Sequence, residues 1–310
     1  MSNTTVQNIQ AAARRMAQDP DIQAEAAALA RISGASGAAS SPAQPETSQQ
    51  AQRAAAQHAT VLAAVPASAG DEPRDALPLN VSRGTHRASP ATAALLSAVG
   101  GRSALVRFTN AFYRKAFQDP QLDPFIRSHD DPHGERFASW IAEKMGAGQP
   151  WSEERATRRV CPFHAHGQTL STPHDRSSAH YAAWHSPKRS DAKFGNHFKL
   201  DDCRVWMRLH FWAAREAGFY DTSAGRRWMD YYVRFIAHFV SVYERTAPPF
   251  AREAARWSAD PANTAAYLER GRTMPDVVGV SLNKALATLP PEEREYTGSS
   301  ARTLLWPYEL

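Results

Sequence analysis

The side chains best suited to chemistry are one phenol, one indole and two imidazoles, which lie on three predicted helices. They belong to Tyr113, Trp206, His180 and His185. Phenol and indole groups donate hydrogen bonds, and a neutral imidazole nitrogen is a common metal ligand. In an all-α domain of this size, such groups on different helices suggest a bound cofactor.

Motifs for catalysis by side chains alone are missing from the sequence. It has no Gly-rich phosphate loop followed by Lys-Ser/Thr, no G-x-S-x-G and no H-E-x-x-H. The stretch CPFHAHG offers Cys161, His164 and His166 as zinc ligands. Structural zinc sites usually draw their ligands from two separated pairs, and no second pair follows, so a plain surface loop is the favoured interpretation.

Charge and cysteine content limit the classes of partner and compartment. The formal net charge of the 310 residues is +5, which is mildly basic and does not indicate a nucleic-acid-binding stripe. Cys161 and Cys203 are the two cysteines, so we expect a reducing compartment. No apolar run reaches about 18 residues, and the N-terminus lacks a signal-peptide core. We therefore expect a cytoplasmic protein without a membrane or nucleic-acid partner.

Composition divides the chain into three parts. Residues 1–90 are rich in Ala, Gln, Ser and Pro and contain no aromatic residue, so we expect a disordered extension. Residues 91–246 carry helical periodicity and no alternating strand pattern, which predicts an all-α domain. Residues 247–310 lose that pattern and are expected to form a mostly irregular C-terminal appendage.

A helix from about Asp201 to Ala217 is predicted to organise the domain. Asp201 or Asp202 can cap its N-terminus, and Gly218 can end it in a left-handed conformation. Its apolar stripe is too wide for a helix with one wet face, so we expect it to be mostly buried. Arg204, Arg208 and Arg215 would form a narrow edge of charges that extend to solvent.

Other helices are predicted on either side of this one. We expect a short helix before Gly100, a helix capped by Ser103 and ending near Phe117, and another over 137–145. A helix opened by Pro173 would carry His180 and His185. The last, capped by Thr222 or Ser223, would bury Trp228, Tyr231, Tyr232, Phe235, Phe239 and Val242 and run to about Arg245.

Three segments, in this order, resemble the truncated haemoglobins, closest to their second group. AFYRKAFQDPQLDPFI (111–126) resembles the B-helix segment, FASWIAEKMGAGQPW (137–151) the E-helix, and DDCRVWM (201–207) the start of the G-helix. The resemblance covers about half of the chain. It implies a two-over-two helical sandwich that holds haem b and reversibly binds dioxygen or another diatomic gas such as nitric oxide. A redox role with an unknown electron donor is also implied.

The resemblance assigns roles to individual residues. Tyr113 matches the distal tyrosine, whose phenol donates a hydrogen bond to the diatomic ligand, and Trp206 matches the tryptophan that lies over the porphyrin. The corner aromatic of the family falls on Ile126 here, with Phe125 beside it. Without the resemblance, both Tyr113 and Trp206 would be interpreted as core aromatic residues.

The axial ligand of the iron is assigned to His180, with His185 as its rival. His180 lies within the predicted helix, and His185 precedes Ser-Pro, as in the second group. His197 and His210 are weaker candidates. The inserted loop carries Lys188, Arg189 and Lys193, which would pair with haem propionates or form a solvated basic loop. The alternative function is a haem-free globin-like interaction or regulatory module.

Overall fold

The computed structural model describes residues 77–157, 161–165, 168–172 and 176–295. Residues 1–76 of the extension expected to be disordered, His166, Pro173 and residues 296–310 lie outside the described residues. No helix in the described ranges is long and apolar enough to cross a membrane.

The described chain is mostly helical, so the all-α prediction is confirmed at the level of fold class. Its helices are α1 (Pro90–Ala98), α2 (Gly101–Ala116), α3 (His133–Lys144), α4 (Pro150–Thr157), α5 (Arg176–Trp184), α6 (Leu200–Glu216), α7 (Ser223–Val240), α8 (Phe250–Trp257), α9 (Pro261–Glu269), α10 (Leu282–Ala287) and α11 (Pro291–Arg294). A short 3₁₀ turn, Asp123–Phe125, follows α2.

Two antiparallel hairpins are present: one lies inside the domain expected to lack strands, and the other lies within residues 77–90 of the expected extension. β1 (Val81–Ser82) pairs with β2 (Thr85–His86) just before α1. β3 (Cys161–Ala165) pairs with β4 (Gln168–Thr172) where an irregular loop was predicted. Both hairpins are held by local backbone pairing and are too short to show a clear alternation of apolar and polar residues.

The predicted central helix is α6, and it is mostly buried as expected. Its N-cap is Lys199, so the assignment of the cap to Asp201 or Asp202 was wrong. Both aspartates lie in the first turn, where the helix dipole favours a negative charge, and Asp202 accepts a hydrogen bond of 2.8 Å from the Lys199 amide. After the helix, Gly218 has φ +83°, the left-handed conformation that was predicted.

The polar edge predicted for α6 is corrected by the structure. Arg204 and Arg208 are only 2% and 3% exposed, and they do not extend to solvent. Arg208 pairs with Glu253 on α8 and, at 2.7 Å, with Asp276. These acidic partners come from the C-terminal part of the chain, which completes the burial of the arginines.

The C-terminal part belongs to the same core, which corrects the expectation of a mostly irregular appendage. α8 packs on α6, and Phe250, Ala251, Ala254 and Ala255 are fully buried. Tyr267 on α9 and Leu289 after α10 also join the core cluster. Helices α8 to α11 are short and separated by turns, so none of them gave a long periodic pattern in the sequence.

Helix ends differ from the predictions by a few residues. Gly100, rather than Ser103, is the N-cap of α2, and α3 begins at His133 instead of Phe137. The Thr222 hydroxyl accepts a hydrogen bond from the Gly225 amide, which confirms the predicted cap of α7. This helix ends at Val240, which leaves Val242 46% exposed instead of buried.

Helix α2 connects the elements that carry the candidate site. It packs against both α3 and α6, through a buried face that includes the predicted Leu105, Phe108 and Phe112. The predicted face of α7 is also buried, with Trp228, Tyr231, Tyr232 and Phe235 fully enclosed. The site residues are therefore held by packed helices.

Candidate functional site

Tyr113 and Trp206, 93 positions apart in the sequence, contact the same phenylalanine. The ring centroid of Phe112 lies 5.1 Å from that of Tyr113 and 5.4 Å from that of Trp206. Tyr113 is on α2 and Trp206 on α6, so the packing of these two helices brings them together. We call Tyr113 and Trp206 the donor pair.

Both members of the donor pair keep their polar hydrogens unused. Within the described part of the chain, no group forms a hydrogen bond with the Tyr113 hydroxyl or the Trp206 indole N–H, and both side chains are partly exposed. Burial raises the pKa of Tyr113 to about 12, although the charge of Arg136 acts in the opposite direction. The phenol is therefore protonated at neutral pH, and both groups are available as donors.

Two histidines extend the surroundings of the donor pair. The His133 ring stacks on Tyr113 with centroids 5.1 Å apart, and the His210 ring stacks on Trp206 at 4.4 Å. His210 is fully buried, and its Nε2 lies 2.9 Å from the Tyr232 hydroxyl. Burial lowers the pKa of His210 well below its usual value, so the ring is neutral. None of the residues that the structure describes forms a hydrogen bond with its Nδ1.

A second aromatic group brings Phe125 and His180 together around Phe198. The centroid of Phe198 lies 5.0 Å from Phe125 and 5.4 Å from His180. Tyr243 adds an edge contact to His180 at 4.4 Å. We call Phe125, His180, Phe198 and Tyr243 the Phe198 cluster. All four side chains are partly exposed, as is the donor pair.

Helix α6 relates these two groups. Phe198 lies just before the N-cap Lys199, and Trp206 lies six residues into α6 after Leu200. At 1.5 Å per residue, Trp206 lies about 9 Å along the helix axis from Leu200, which is two residues after Phe198. The Gln121 amide also donates a hydrogen bond of 2.5 Å to Asp202, which ties the turn bearing Phe125 to the start of α6.

The rival histidine has a different environment. His185 lies just after α5 and is 8% exposed, with Nδ1 2.8 Å from the Tyr181 carbonyl oxygen, to which it can donate. Its Nε2 faces Gly195: a Cβ atom placed on Gly195 would lie 3.3 Å from this nitrogen. Nε2 is thus turned toward the inserted loop. His197 stacks on Trp184 at 3.9 Å and is otherwise exposed.

Two of the three basic side chains proposed for propionates have partners inside the chain. Lys188 donates a hydrogen bond of 2.9 Å to Asp123. Arg189 lies 4.2 Å over the Phe125 ring and donates to the Asn196 carbonyl at 2.7 Å. Lys193 is exposed. The loop charges therefore stabilise the turn that carries Phe125.

The chemistry of these residues fits a haem group. Haem iron takes an axial imidazole, and its distal side favours hydrogen-bond donors beside an apolar wall. His180 is a partly exposed imidazole among aromatic rings, and the donor pair has two unused donors. Among the described residues, no three His, Cys, Asp or Glu side chains form a metal cluster. Cys161 and His164, proposed for zinc, lie on β3.

Sequence reasoning missed the residues that join the candidate groups. Phe198 was not named, although it directly precedes the cap of the central helix, and Phe137 was named only as part of an apolar helix face. Phe137 approaches both Trp206 and His210, at 6.1 and 5.5 Å. Comparison of the chain with protein-family models, curated proteins and solved structures found no match. The resemblance to truncated haemoglobins thus rests on the three quoted segments.

Proposed function

We propose that the chain is a haem-binding protein of truncated-globin type that reversibly binds dioxygen or another diatomic gas such as nitric oxide. The observation that carries this proposal is the donor pair. Two donors, from different helices, share one phenylalanine and have no hydrogen-bond partner within the described chain. Both side chains are partly exposed, so a bound ligand can reach them.

Each group has a distinct role in this proposal. His180 would coordinate the iron, while Phe125 and Phe198 would supply an apolar wall beside it. Tyr113 and Trp206 would donate hydrogen bonds to the gas. Haem would supply the iron that binds the gas. Two donors beside the gas favour a ligand that carries partial negative charge.

The two-over-two arrangement is part of the same proposal. The pair α2–α3 would cross the pair α6–α7. The packing of α2 against both α3 and α6 supports this arrangement, since one helix then contacts both pairs.

The direct experiment is an absorption spectrum of the purified full chain, with and without carbon monoxide. We expect a Soret band that shifts on adding carbon monoxide. In His180→Ala the band should be lost or strongly moved, and added imidazole should restore it by replacing the missing ligand. His197→Ala is the matched control, since His197 stacks on Trp184, and it should leave the band unchanged.

Two results would overturn parts of the proposal. Loss of the band in His185→Ala, but not in His180→Ala, would transfer the axial role to His185. A chain that stays colourless and equally stable after haem addition would instead favour a haem-free interaction or regulatory module.

A further inference from the structure

A line of stacked rings runs from the partly exposed Trp206 into the core. The Trp206 and His210 rings are 4.4 Å apart and 14° from parallel. His210 stacks on Tyr232 at 5.6 Å, and Tyr232 on Trp228 at 4.1 Å. His210, Tyr232 and Trp228 are completely buried. Three oxidisable side chains and one imidazole thus form a continuous path.

The contact between Tyr232 and His210 provides a proton acceptor for the phenol. The Tyr232 hydroxyl lies 2.9 Å from His210 Nε2. A phenol that loses an electron becomes strongly acidic, so its oxidation is feasible in a protein core when a base lies within hydrogen-bond reach. Neutral His210, with its own proton on Nδ1, offers that base at Nε2.

We propose that Tyr232 is a redox-active tyrosine that is oxidised through Trp206 and passes its proton to His210. A one-electron oxidant, such as the azidyl radical, takes one electron from the Trp206 indole and becomes its anion. The oxidised indole recovers an electron from Tyr232. The Tyr232 O–H bond breaks and an N–H bond forms at His210 Nε2, which leaves a neutral tyrosyl radical and an imidazolium.

This proposal does not depend on a bound cofactor. Trp206 is partly exposed and can meet an oxidant from solution. The site would hold an oxidising equivalent away from solvent, because Tyr232 and Trp228 are both fully enclosed. Failure of haem binding would therefore leave this inference intact. Failure of Tyr232 oxidation would likewise leave the haem proposal intact.

The chain contains a matched control in the neighbouring residue of α7. Tyr231 is also fully buried, and its hydroxyl lies 2.5 Å from Nε2 of His86. Its ring neighbours are His86 and Phe235, instead of the Trp206–His210 stack. Removing either hydroxyl deletes one buried tyrosine–histidine hydrogen bond, but only Tyr232 belongs to the proposed path.

Pulse radiolysis of the cofactor-free full chain in azide solution tests the proposal. The tryptophanyl and tyrosyl absorbances are followed together. We expect a first-order conversion of the first radical into the second that is independent of protein concentration. This conversion should be kept in Tyr231→Phe and lost in Tyr232→Phe and in Trp206→Phe. His210→Asn should slow the conversion. In wild type the conversion should be slower in D₂O than in H₂O, and this difference should disappear in His210→Asn.

Two outcomes would overturn the proposal. One is an unchanged conversion in Tyr232→Phe, which would assign the tyrosyl radical to another tyrosine. The other is an equal loss in Tyr231→Phe and Tyr232→Phe, which would attribute the effect to a deleted buried hydrogen bond. Near-ultraviolet circular dichroism of each variant establishes that the core is folded before the comparison.

Discussion

The Tyr267 hydroxyl donates a hydrogen bond of 2.8 Å to Oδ2 of the buried Asp119. Asp119 lies in the turn after α2, and Tyr267 lies on α9, so this contact joins the start of the domain to its C-terminal helices. The backbone amides of Gln121 and Leu122 donate to the other carboxylate oxygen, each at 2.9 Å. Burial raises the pKa of Asp119, and these hydrogen bonds only partly oppose it.

Tyr267→Phe should destabilise the fold by about 1–3 kcal/mol at neutral pH, because it leaves a buried carboxylate oxygen without its donor. The loss should shrink in acid, since the raised pKa of Asp119 lets the folded protein protonate this carboxyl before the unfolded chain does. Urea unfolding at neutral pH and in acid measures the destabilisation and its change with pH. Thr273→Ala, which deletes an exposed hydroxyl bond to the Arg270 carbonyl, is the control and should have little effect.

Glu253→Gln should cost about 3–5 kcal/mol, because it removes the charge that compensates the buried Arg208 and the nearby Arg204. Asp276→Asn removes the other partner of Arg208, but Asp276 is 56% exposed at its side chain, so about 0–1 kcal/mol is expected. Chemical denaturation of both variants gives the comparison. Equal losses would show that Glu253 does not hold the buried arginines in place.

His86 should make the fold less stable in mild acid. Burial lowers the pKa of His86 from 6.5 to about 4, and the nearby charges of His238 and Lys144 act in the same direction. Between these pH values the unfolded chain binds a proton that the folded chain does not. The contribution of His86 to the free energy of unfolding should therefore fall by about 3 kcal/mol as the pH drops from 6.5 to about 4.

His86→Gln tests this assignment through the slope of the free energy of unfolding against pH. Between pH 6.5 and about 4, the slope should become shallower, because the variant lacks the proton uptake by His86 on unfolding. His197→Gln alters an exposed imidazole and should change the slope much less. An unchanged slope in His86→Gln would assign the acid sensitivity to other groups.

Tyr113→Phe should speed dioxygen dissociation from the haem-loaded protein by about 5–30-fold, because one hydrogen bond of about 1–2 kcal/mol is lost. Trp206→Phe should act in the same direction. Stopped-flow ligand replacement measures both rates. Tyr220→Phe is the matched control: the Tyr220 hydroxyl is buried and has no partner among the described residues, and its ring lies against Arg215 instead of the donor pair. Equal rates in Tyr113→Phe and wild type would remove Tyr113 from the site.

The sequence allowed the helices with long periodic patterns to be predicted. The density of apolar residues in α6 was enough to identify a buried helix, and Gly218 and Thr222 marked helix ends through local backbone chemistry. The burial of Arg204 and Arg208 was not predictable in this way. It depends on Glu253 and Asp276, which are distant in sequence and lie in segments with short helical patterns.

The candidate site was predictable only in part for the same reason. Tyr113, Trp206, Phe125 and His180 were named from the resemblance. The contacts of Phe112 with Trp206 and of Phe198 with Phe125 form only when α2, α6 and the turn Asp123–Phe125 pack together. The hydrogen bond between His210 and Tyr232 likewise joins two helices, and no local motif indicates it.

The central claim, a haem site between the donor pair and the Phe198 cluster, is tested most directly by titrating the purified full chain with haem while recording the Soret band. We predict a saturable change with one haem bound per chain, and a further shift of the bound form on reducing it with dithionite and adding carbon monoxide. A titration that matches free haem in buffer at every step, without an end point, would contradict the account.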